Sequence, residues 1–198
     1  MSPLFRGLGV VCLSGALLLG FSIRLRPEIA DEIGSLFILS HGGPSVERNA
    51  STSLKTITSA QADFRANDRD GDGVNQFWRG DIAGLYVLRS QKEPEGPAIK
   101  LIELSVASAD DRPVTDISPY AVRSAKAGYW FRALLHEDET NPDPNRFAAC
   151  AYPDTPSAGK WTFIVDEENT IYRKELKKQR GVERYPKDPL KDGWTRLD

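Results

Sequence analysis

The stretch from Glu47 to Trp78 constrains the fold of this chain more than any other part of its sequence. Its first part, ERNASTSLKTITSAQADFRAN, repeats apolar residues at the three- and four-residue spacing that places them on one face of an α-helix. This apolar stripe consists of Ala50, Leu54, Ile57 and Phe64, with Gln61 interrupting it. Serine and threonine fill many other positions, and both are mediocre helix formers. We therefore expect a long helix that depends on packing of its stripe against a sheet.

The helical pattern runs directly into an acidic loop, DRDGDGVNQFW, whose spacing is typical of a calcium-binding turn. Carboxylates at alternate positions converge on one hard cation when the chain curls, and Gly73 permits the sharp turn that this requires. The candidate ligands are Asp68, Asp70 and Asp72, the backbone carbonyl of Val74, the side chain of Gln76 and, in a longer loop, Asp81. The loop therefore predicts a candidate Ca²⁺ site at the end of the long helix.

This candidate calcium site lacks one ligand of a complete EF-hand. The twelfth position of an EF-hand loop supplies a bidentate acid, and Arg79 occupies that position here. Two interpretations remain open. The loop is either a weak calcium site that takes its last ligand from elsewhere, or an acidic, glycine-rich turn that ends the helix and binds no ion. An exported protein meets millimolar calcium, so a weak site would still fill.

The N-terminus contains an apolar run from Gly7 to Ile23, which is 17 residues without a charge. That length is at the short limit for a membrane-spanning helix, and Arg6 and Arg24 flank the run. Residues 1–26 therefore form either an uncleaved hydrophobic anchor or a cleaved signal peptide. We favour the anchor, which predicts a single-pass protein of the bacterial inner membrane with its remaining residues in the periplasm or outside the cell. Cleavage would instead give a secreted protein.

Two regions follow the anchor. Residues 27–44 are predicted to form a juxtamembrane helix or linker, and residues 45–198 a globular domain. Within that domain, Asp81 is placed to cap a short helix, and the segment IKLIELSVASAD (residues 99–110) has the spacing of another helix.

The C-terminal half of the chain is patterned as β-strands. Four short segments are rich in aromatic and β-branched residues, namely GYWFRALL, RFAACAY, KWTFIVD and TIYRKEL. Turn sequences separate them, and Asn169 suits a left-handed position between the last two. We expect a roughly four-stranded antiparallel meander with the long helix on one face, with Trp194 folded back from the tail. The predicted fold class is α+β.

Composition argues against several functions. The net charge is -2, which gives no electrostatic footprint for nucleic acid. The two histidines, His41 and His136, are far apart and lack a motif, so we expect them at the surface. The acids Asp110 and Asp111 are expected in a solvated loop rather than in general acid–base work. No serine or threonine lies in a recognisable nucleophile motif. A non-enzymatic protein is therefore expected.

The order of anchor, helix, acidic loop and sheet resembles that of type IV pilins and of the pseudopilins of type II secretion. The phrase NASTSLKTITSAQADFRANDRDGDGV is similar to the helix-to-loop region of such proteins. The C-terminal half resembles a bacterial family of exported domains of unknown function. The residues that carry this second resemblance are Gly128 to Arg132, Ala151 to Pro153, Thr162 to Val165, Tyr172 and Trp194.

The resemblance to pilins implies a helix packed on an antiparallel sheet and a role at the cell envelope. Pilin precursors carry a glutamate shortly after the processing site, whereas this chain has Leu25 after Gly20–Phe21. The resemblance therefore implies the fold and not incorporation into a filament.

We expect a structural or interaction component of the envelope, linked to a pilus or type II secretion system. Its partners would be the membrane, through the N-terminal helix, and envelope or secretion proteins. The alternative is a periplasmic ligand-binding or enzymatic domain that uses an aromatic groove on the sheet. Trp130 and Trp161 discriminate between the two, because burial under the long helix removes the groove and exposure beside polar groups creates it.

Overall fold

The computed structural model describes residues 43–177 and 181–197, so the predicted anchor (residues 1–26) and nearly all of the predicted linker lie outside the described residues. The helices are α1 (Pro44–Asn67), a 3-10 helix (Ala83–Tyr86) and α2 (Leu104–Ser108). The strands are β1 (Tyr129–His136), β2 (Ala148–Pro153), β3 (Thr162–Asp166), β4 (Tyr172–Lys174), β5 (Arg184–Tyr185) and β6 (Thr195–Arg196). Among the described residues, none of the helices is both long and apolar enough to span a membrane.

The long helix α1 has the C-terminal end and the buried face that its sequence predicts, but it begins at Pro44 rather than at the predicted Glu47. Pro44 lies at its first turn, where the missing N–H of proline costs no hydrogen bond. Asp68 ends it in the left-handed conformation, with φ of 45°. The predicted stripe residues Ala50, Leu54, Ile57 and Phe64 are all at most 2% exposed. The helix therefore packs on the sheet through this stripe, as expected.

Gln61, which interrupts the apolar stripe, is also buried and pairs with the backbone of one residue beyond the acidic loop. Its Nε2 donates to the carbonyl of Trp78 at 3.0 Å, and its Oε1 accepts from the Trp78 N–H at 2.9 Å. The side-chain amide thus replaces the backbone partner that an isolated extended residue lacks. The Trp78 ring packs edge-on against Phe64 with 5.8 Å between ring centroids. Gln61 therefore fixes the return of the chain from the acidic loop onto α1.

Replacing Gln61 with leucine is expected to lower the free energy of unfolding by about 2–4 kcal/mol, because both backbone groups of Trp78 lose their partner in a partly buried site. Leucine keeps the size and apolar packing of the side chain, so the loss isolates the amide pairing. Urea unfolding followed by circular dichroism measures it. Ser59→Ala is the control, because the exposed Ser59 hydroxyl bonds only to the Lys55 carbonyl of its own helix. Equal stability of Gln61→Leu and wild type would contradict the assignment.

One sheet of six strands forms the other half of the domain, in the order β5-β1-β2-β3-β4-β6. Strands β1 to β4 pair antiparallel with their neighbours in sequence, and the turn before β4 contains Asn169 with φ of 60°, as predicted. Two further short strands extend the sheet beyond the four or so that we expected. Strand β5 pairs parallel to β1, and β6 pairs antiparallel to β4.

Both faces of the sheet are covered. Side chains alternate between faces along a strand, so Phe131, Ala149 and Phe163 point towards α1 and join the main core. Alternate residues on the opposite face form a second cluster, which we call the second core. It contains Leu134, Ala148, Cys150, Tyr152, Ile164, Tyr185 and Trp194. Its cover is supplied by the C-terminal segment, and Trp194 is folded back as predicted, with 6% of its surface exposed.

The second predicted helix, over residues 99–110, is mostly wrong. Only Leu104–Ser108 is helical. Ile99 instead forms an antiparallel bridge with Leu88, its N–H donating to the Leu88 carbonyl at 2.8 Å. The Leu101 N–H likewise donates to the carbonyl of Leu85 at 2.9 Å. Because the backbone of Leu85 and Leu88 accepts these bonds, the first part of the segment is extended. Its apolar residues Ile99 and Leu101 are partly buried, and Ile102 is buried.

Candidate functional site

The acidic loop brings three of the predicted metal ligands together. Carboxylate oxygens of Asp68, Asp70 and Asp72 lie within 4.8 Å of one another. Gly71 and Gly73 have φ of 71° and 87°, a conformation that side-chain-bearing residues rarely adopt, and this curls the chain around the three acids. The loop also lies against the next turn, where the Gln91 N–H donates to the Asp70 carbonyl. The local fold therefore concentrates negative charge at the C-terminal end of α1.

Two of the three carboxylates are held by neighbouring donors. Asp68 accepts from the Gly73 N–H, and its Oδ2 lies 3.1 Å from the Lys92 ammonium. Asp72 accepts from the Val74 N–H and from the Gln76 side-chain amide, each at 2.7 Å. These bonds hold the carboxylates in place within the loop.

The third carboxylate, Asp70, fits a cation ligand better than the other two. Its Oδ1 is buried and has no hydrogen-bond partner. Burial, and then the charge of Asp72, raise the pKa of Asp70 above its usual value. In contrast, the hydrogen bond from Lys92 lowers the pKa of Asp68. An oxygen that lacks a donor, between two other carboxylates, suits a hard cation such as Ca²⁺, so the donor set passes this test of fit.

The structure places the other predicted ligands differently. Val74 has 52% of its surface exposed, and the amide of Gln76 is turned towards Asp72. Arg79, which stands in place of the closing acid, donates to the carbonyl of Pro142. Asp81 is not among the clustered carboxylates and is only 2% exposed. The loop thus assembles its three aspartates, while Asp81 belongs to a different network.

Asp81 and Asp110 form that network, which we call the carboxylate clamp. Each buried carboxylate caps the chain segment near the other. Asp81 accepts from the N–H groups of Gly84, Val114 and Thr115, as well as from the Thr115 hydroxyl and the Trp78 indole. Its bond to Gly84 reaches the first turn of the short helix, although the N-cap position is Ile82 rather than the predicted Asp81. Asp110 accepts from the N–H groups of Ile82, Ala83 and Arg112.

The expectation that Asp110 lies in a solvated loop is wrong, because it is only 1% exposed. Burial, opposed by its backbone hydrogen bonds, raises the pKa of Asp110 to about 6, and the nearby Asp81 charge contributes to the rise. The hydrogen-bond partners of its carboxylate are backbone N–H groups, and it does not face a cleft. The perturbed pKa is therefore explained by the fold, which is a common alternative to a catalytic role.

A second polar network lies on the face of the sheet opposite α1, around Arg132. The guanidinium donates to the carboxylates of Asp111 and Glu183, and stacks on the ring of Tyr152 with 5.3 Å to the centroid. Arg112 donates twice to Glu183 from outside. The sequence signal for this site is an arginine inside an otherwise apolar strand, because a charge in such a position requires a partner.

This network lines a cleft with a volume of about 400 Å³. Among its lining residues are Trp130, Tyr152, Asp154 and Gly181. The Trp130 indole donates to Asp154 at 2.7 Å, and the Arg123 guanidinium lies over its ring. Gly181 packs so closely on Tyr152 that a Cβ there would come within 2.8 Å of the ring. The cleft combines aromatic surface with charged groups, most of which are bound to one another.

The two tryptophans that discriminate between our functional interpretations are both half-buried. Two cations, Lys160 and Arg173, each lie 4.8 Å from the centroid of the Trp161 ring. The half-buried ring is therefore in contact with charged groups of the same chain. Trp130 differs, because it borders the cleft beside Asp111 and Glu183.

The expectation of surface histidines is wrong for His136, which is 3% exposed, while His41 lies outside the described residues. The His136 Nε2 lies 3.3 Å from both the Phe147 carbonyl and a carboxylate oxygen of Glu167. Its burial follows from its place at the end of β1, under the turn that joins β3 and β4. Cys150 is a buried free cysteine. Burial raises the pKa of its thiol to about 12, so the thiol is protonated at neutral pH.

Comparisons of the chain with protein-family models, with curated proteins and with solved structures found no match. The resemblances to pilins and to exported bacterial domains therefore stay predictions from the sequence.

Proposed function

We propose that this protein is a non-enzymatic component of the bacterial cell envelope. Residues 1–26 would anchor it in the inner membrane, and residues 45–198 would form a pilin-like domain on the far side. Its role would be structural or an interaction with other envelope proteins, in connection with a pilus or a type II secretion system.

The observation that carries this proposal is that the buried ionisable side chains bond to other parts of the same chain. Asp81 and Asp110 cap backbone segments, and His136 and Arg132 pair with carboxylates that join separate parts of the chain. Groups of this kind stabilise a rigid body instead of converging on a substrate. The packing of α1 on β2 and β3, the central pair of the antiparallel strands β1 to β4, is also the arrangement that the resemblance to pilins implies.

The location of the full-length chain tests the anchor. We expect it in the membrane fraction of a bacterial host, resistant to carbonate extraction, with its intact N-terminus observed by mass spectrometry. A matched chain that begins at residue 43 should be soluble. A mature N-terminus near residue 23 would instead indicate signal cleavage, and recovery of the full-length chain in the cytoplasm would contradict the proposal.

We further propose that Asp68, Asp70 and Asp72 bind Ca²⁺, and that the ion stiffens the connection between α1 and the rest of the domain. The unpartnered Asp70 oxygen and the two adjacent carboxylates support this. Burial, and then repulsion from Asp72, raise the pKa of Asp70, and a bound cation would offset both by stabilising the ionised carboxylate. The role is structural, because the loop orients the return of the chain to Gln61.

Millimolar Ca²⁺ is expected to raise the thermal midpoint of the purified domain. At a concentration ten times Kd, binding stabilises the native state by about 1.4 kcal/mol. Asp70→Asn should abolish the rise, whereas Asp116→Asn, an exposed acid in a distant loop, should retain it. Differential scanning calorimetry with and without calcium measures both variants. A midpoint that calcium leaves unchanged in the wild type would contradict the metal site.

The alternative function, a periplasmic ligand-binding or enzymatic domain, is favoured by one observation, which is the cleft beside Trp130. A thermal-shift screen of periplasmic solutes tests it. A solute that stabilises the wild type and Trp161→Ala, but not Trp130→Ala, would favour this alternative over a purely structural role. Trp161 is the matched control because its ring contacts two cations and lies outside the cleft.

A further inference from the structure

One end of the sheet contains a buried histidine that joins four elements of the fold. His136 is the last residue of β1 and 3% exposed. Its ring contacts Tyr185 of β5 with 5.0 Å between centroids. Its Nε2 lies 3.3 Å from Glu167, in the turn after β3, and 3.3 Å from the carbonyl of Phe147, which precedes β2.

The backbone of His136 also takes part in the attachment of β5. Its carbonyl accepts from the Arg184 guanidinium at 2.9 Å, and its N–H donates to Glu139 at 2.8 Å. The next residue, Glu137, donates its N–H to the carbonyl of Tyr185 at 2.9 Å. Since β5 contains only two residues, these few contacts hold one edge of the C-terminal segment that covers the second core.

Charged groups face His136 from each element around it. Glu167 and Asp166 approach from the end of β3, and Asp166 is hydrogen-bonded to Tyr185. The β1–β2 connection supplies Asp138, Glu139 and Arg146, and β5 supplies Arg184. Arg146 lies between Asp138, Glu139 and Glu167, at 2.9, 3.7 and 3.6 Å. Negative charge therefore predominates around the ring, with Arg146 and Arg184 as the opposing cations.

We propose that His136 and Glu167 form a pH-sensitive latch. The latch holds the C-terminal segment that contains β5 against the sheet when His136 is protonated, and it loosens its hold on that segment when the proton is lost. The geometry supports this because the imidazolium would face two acceptors, the Glu167 carboxylate and the Phe147 carbonyl. Both acceptors lie at the same ring nitrogen, so the neutral Nε2–H tautomer can still donate to them. Protonation therefore adds the ion pair with Glu167 and not a second donor.

The direction of the effect follows from the surroundings of the ring. Burial alone lowers the pKa of His136, but the hydrogen bond and charge of Glu167 outweigh it and raise the pKa above 6.5. A histidine whose pKa is raised by folding contributes stability that is complete below its unfolded pKa. That contribution is lost as the pH rises through the folded value. The latch should therefore be tight in mild acid and weaker above neutral pH.

Amide hydrogen exchange tests the latch directly, because the Glu137 N–H reports on its bond to Tyr185. We expect its protection factor, corrected for the intrinsic pH dependence of exchange, to fall between pH 6 and pH 8. The protection of Cys150, in the central strand β2, should stay constant. The ring protons of His136 should titrate above pH 6.5 in the wild type and at lower pH in Glu167→Gln.

Two variants separate the latch from general pH effects. In Glu167→Gln and His136→Gln, the protection factor of Glu137 should be low and equal at both pH values. If His136→Gln does not fold, Glu167→Gln carries the test alone, because its substitution lies in a turn. The proposal is overturned if protection in the wild type is independent of pH, or if it falls by the same factor in Glu167→Gln.

Discussion

Replacing Asp81 with alanine is expected to lower the free energy of unfolding by about 3–5 kcal/mol, because several N–H donors lose their acceptor at about 1–3 kcal/mol each. The buried Gly84 N–H loses its acceptor, and so do the N–H groups of Val114 and Thr115. Asp110 keeps its own three partners, and the loss of the Asp81 charge relieves some repulsion between the two acids. The net cost remains large because several donors lose one acceptor at once.

Urea unfolding followed by tryptophan fluorescence and circular dichroism measures the loss. Asp116→Ala is the matched control, because this acid lies in the same connecting segment and its hydrogen-bond partner is the exposed Ser118. Its stability should stay close to that of the wild type. If Asp81→Ala retains wild-type stability, the carboxylate clamp does not hold the two segments together. Equal losses in both variants would show that the segment tolerates no change at all.

The parts of the fold that the sequence predicts are those set by local pattern. The stripe on α1 follows from its three- and four-residue spacing, and the end of α1 follows from the Asp-Gly loop. Strands β1 to β4 are evident from aromatic and β-branched residues between turns, and Asn169 suits its left-handed turn. The three clustered aspartates occupy alternate positions within one short loop, so their convergence also depends on local geometry alone.

The parts that the sequence does not predict depend on contacts between distant segments. Asp110 looks like a surface acid because its donors, Ile82 and Ala83, lie 28 and 27 residues away. His136 looks isolated because Glu167 comes from another turn. Strands of two residues, such as β5, carry no periodicity that a sequence pattern can reveal. Ile99 and Ile102 have helical spacing, but hydrogen bonds to the backbone of Leu88 and Leu85 make this part of the chain extended.

The covered second face is the largest departure from the predicted architecture, which placed a single layer of helix on one side of the sheet. Strand β2 shows this cover most clearly, because all six of its residues are buried. A strand with one solvated face alternates between apolar and polar residues, whereas a run that is apolar at every position needs cover on both sides. FAACAY, residues 147–152, is such a run. The cover comes from the tail, in which we predicted Trp194 to fold back.

Replacing Trp194 with alanine is therefore expected to lower the free energy of unfolding by about 3–5 kcal/mol, the usual cost of truncating a large buried aromatic side chain. Its ring packs in the second core with Ile164 and Tyr185, and Gly193, with φ of 78°, turns the chain so that the ring faces inwards. The Trp194 N–H also bonds to the carbonyl of Pro189 and closes the turn. Loss of the ring leaves a cavity against the sheet.

Chemical unfolding and the binding of a hydrophobic dye measure the two consequences, which are lower stability and an exposed second core. Leu190→Ala is the control from the same turn, since 61% of the surface of Leu190 is exposed and its truncation removes few contacts. The second core carries the stability of the tail only if Trp194→Ala is much less stable than Leu190→Ala and binds more dye. Equal stability and equal dye binding in the two variants would mean that the tail contributes little to stability. In that case, packing against α1 would stabilise the sheet without the tail.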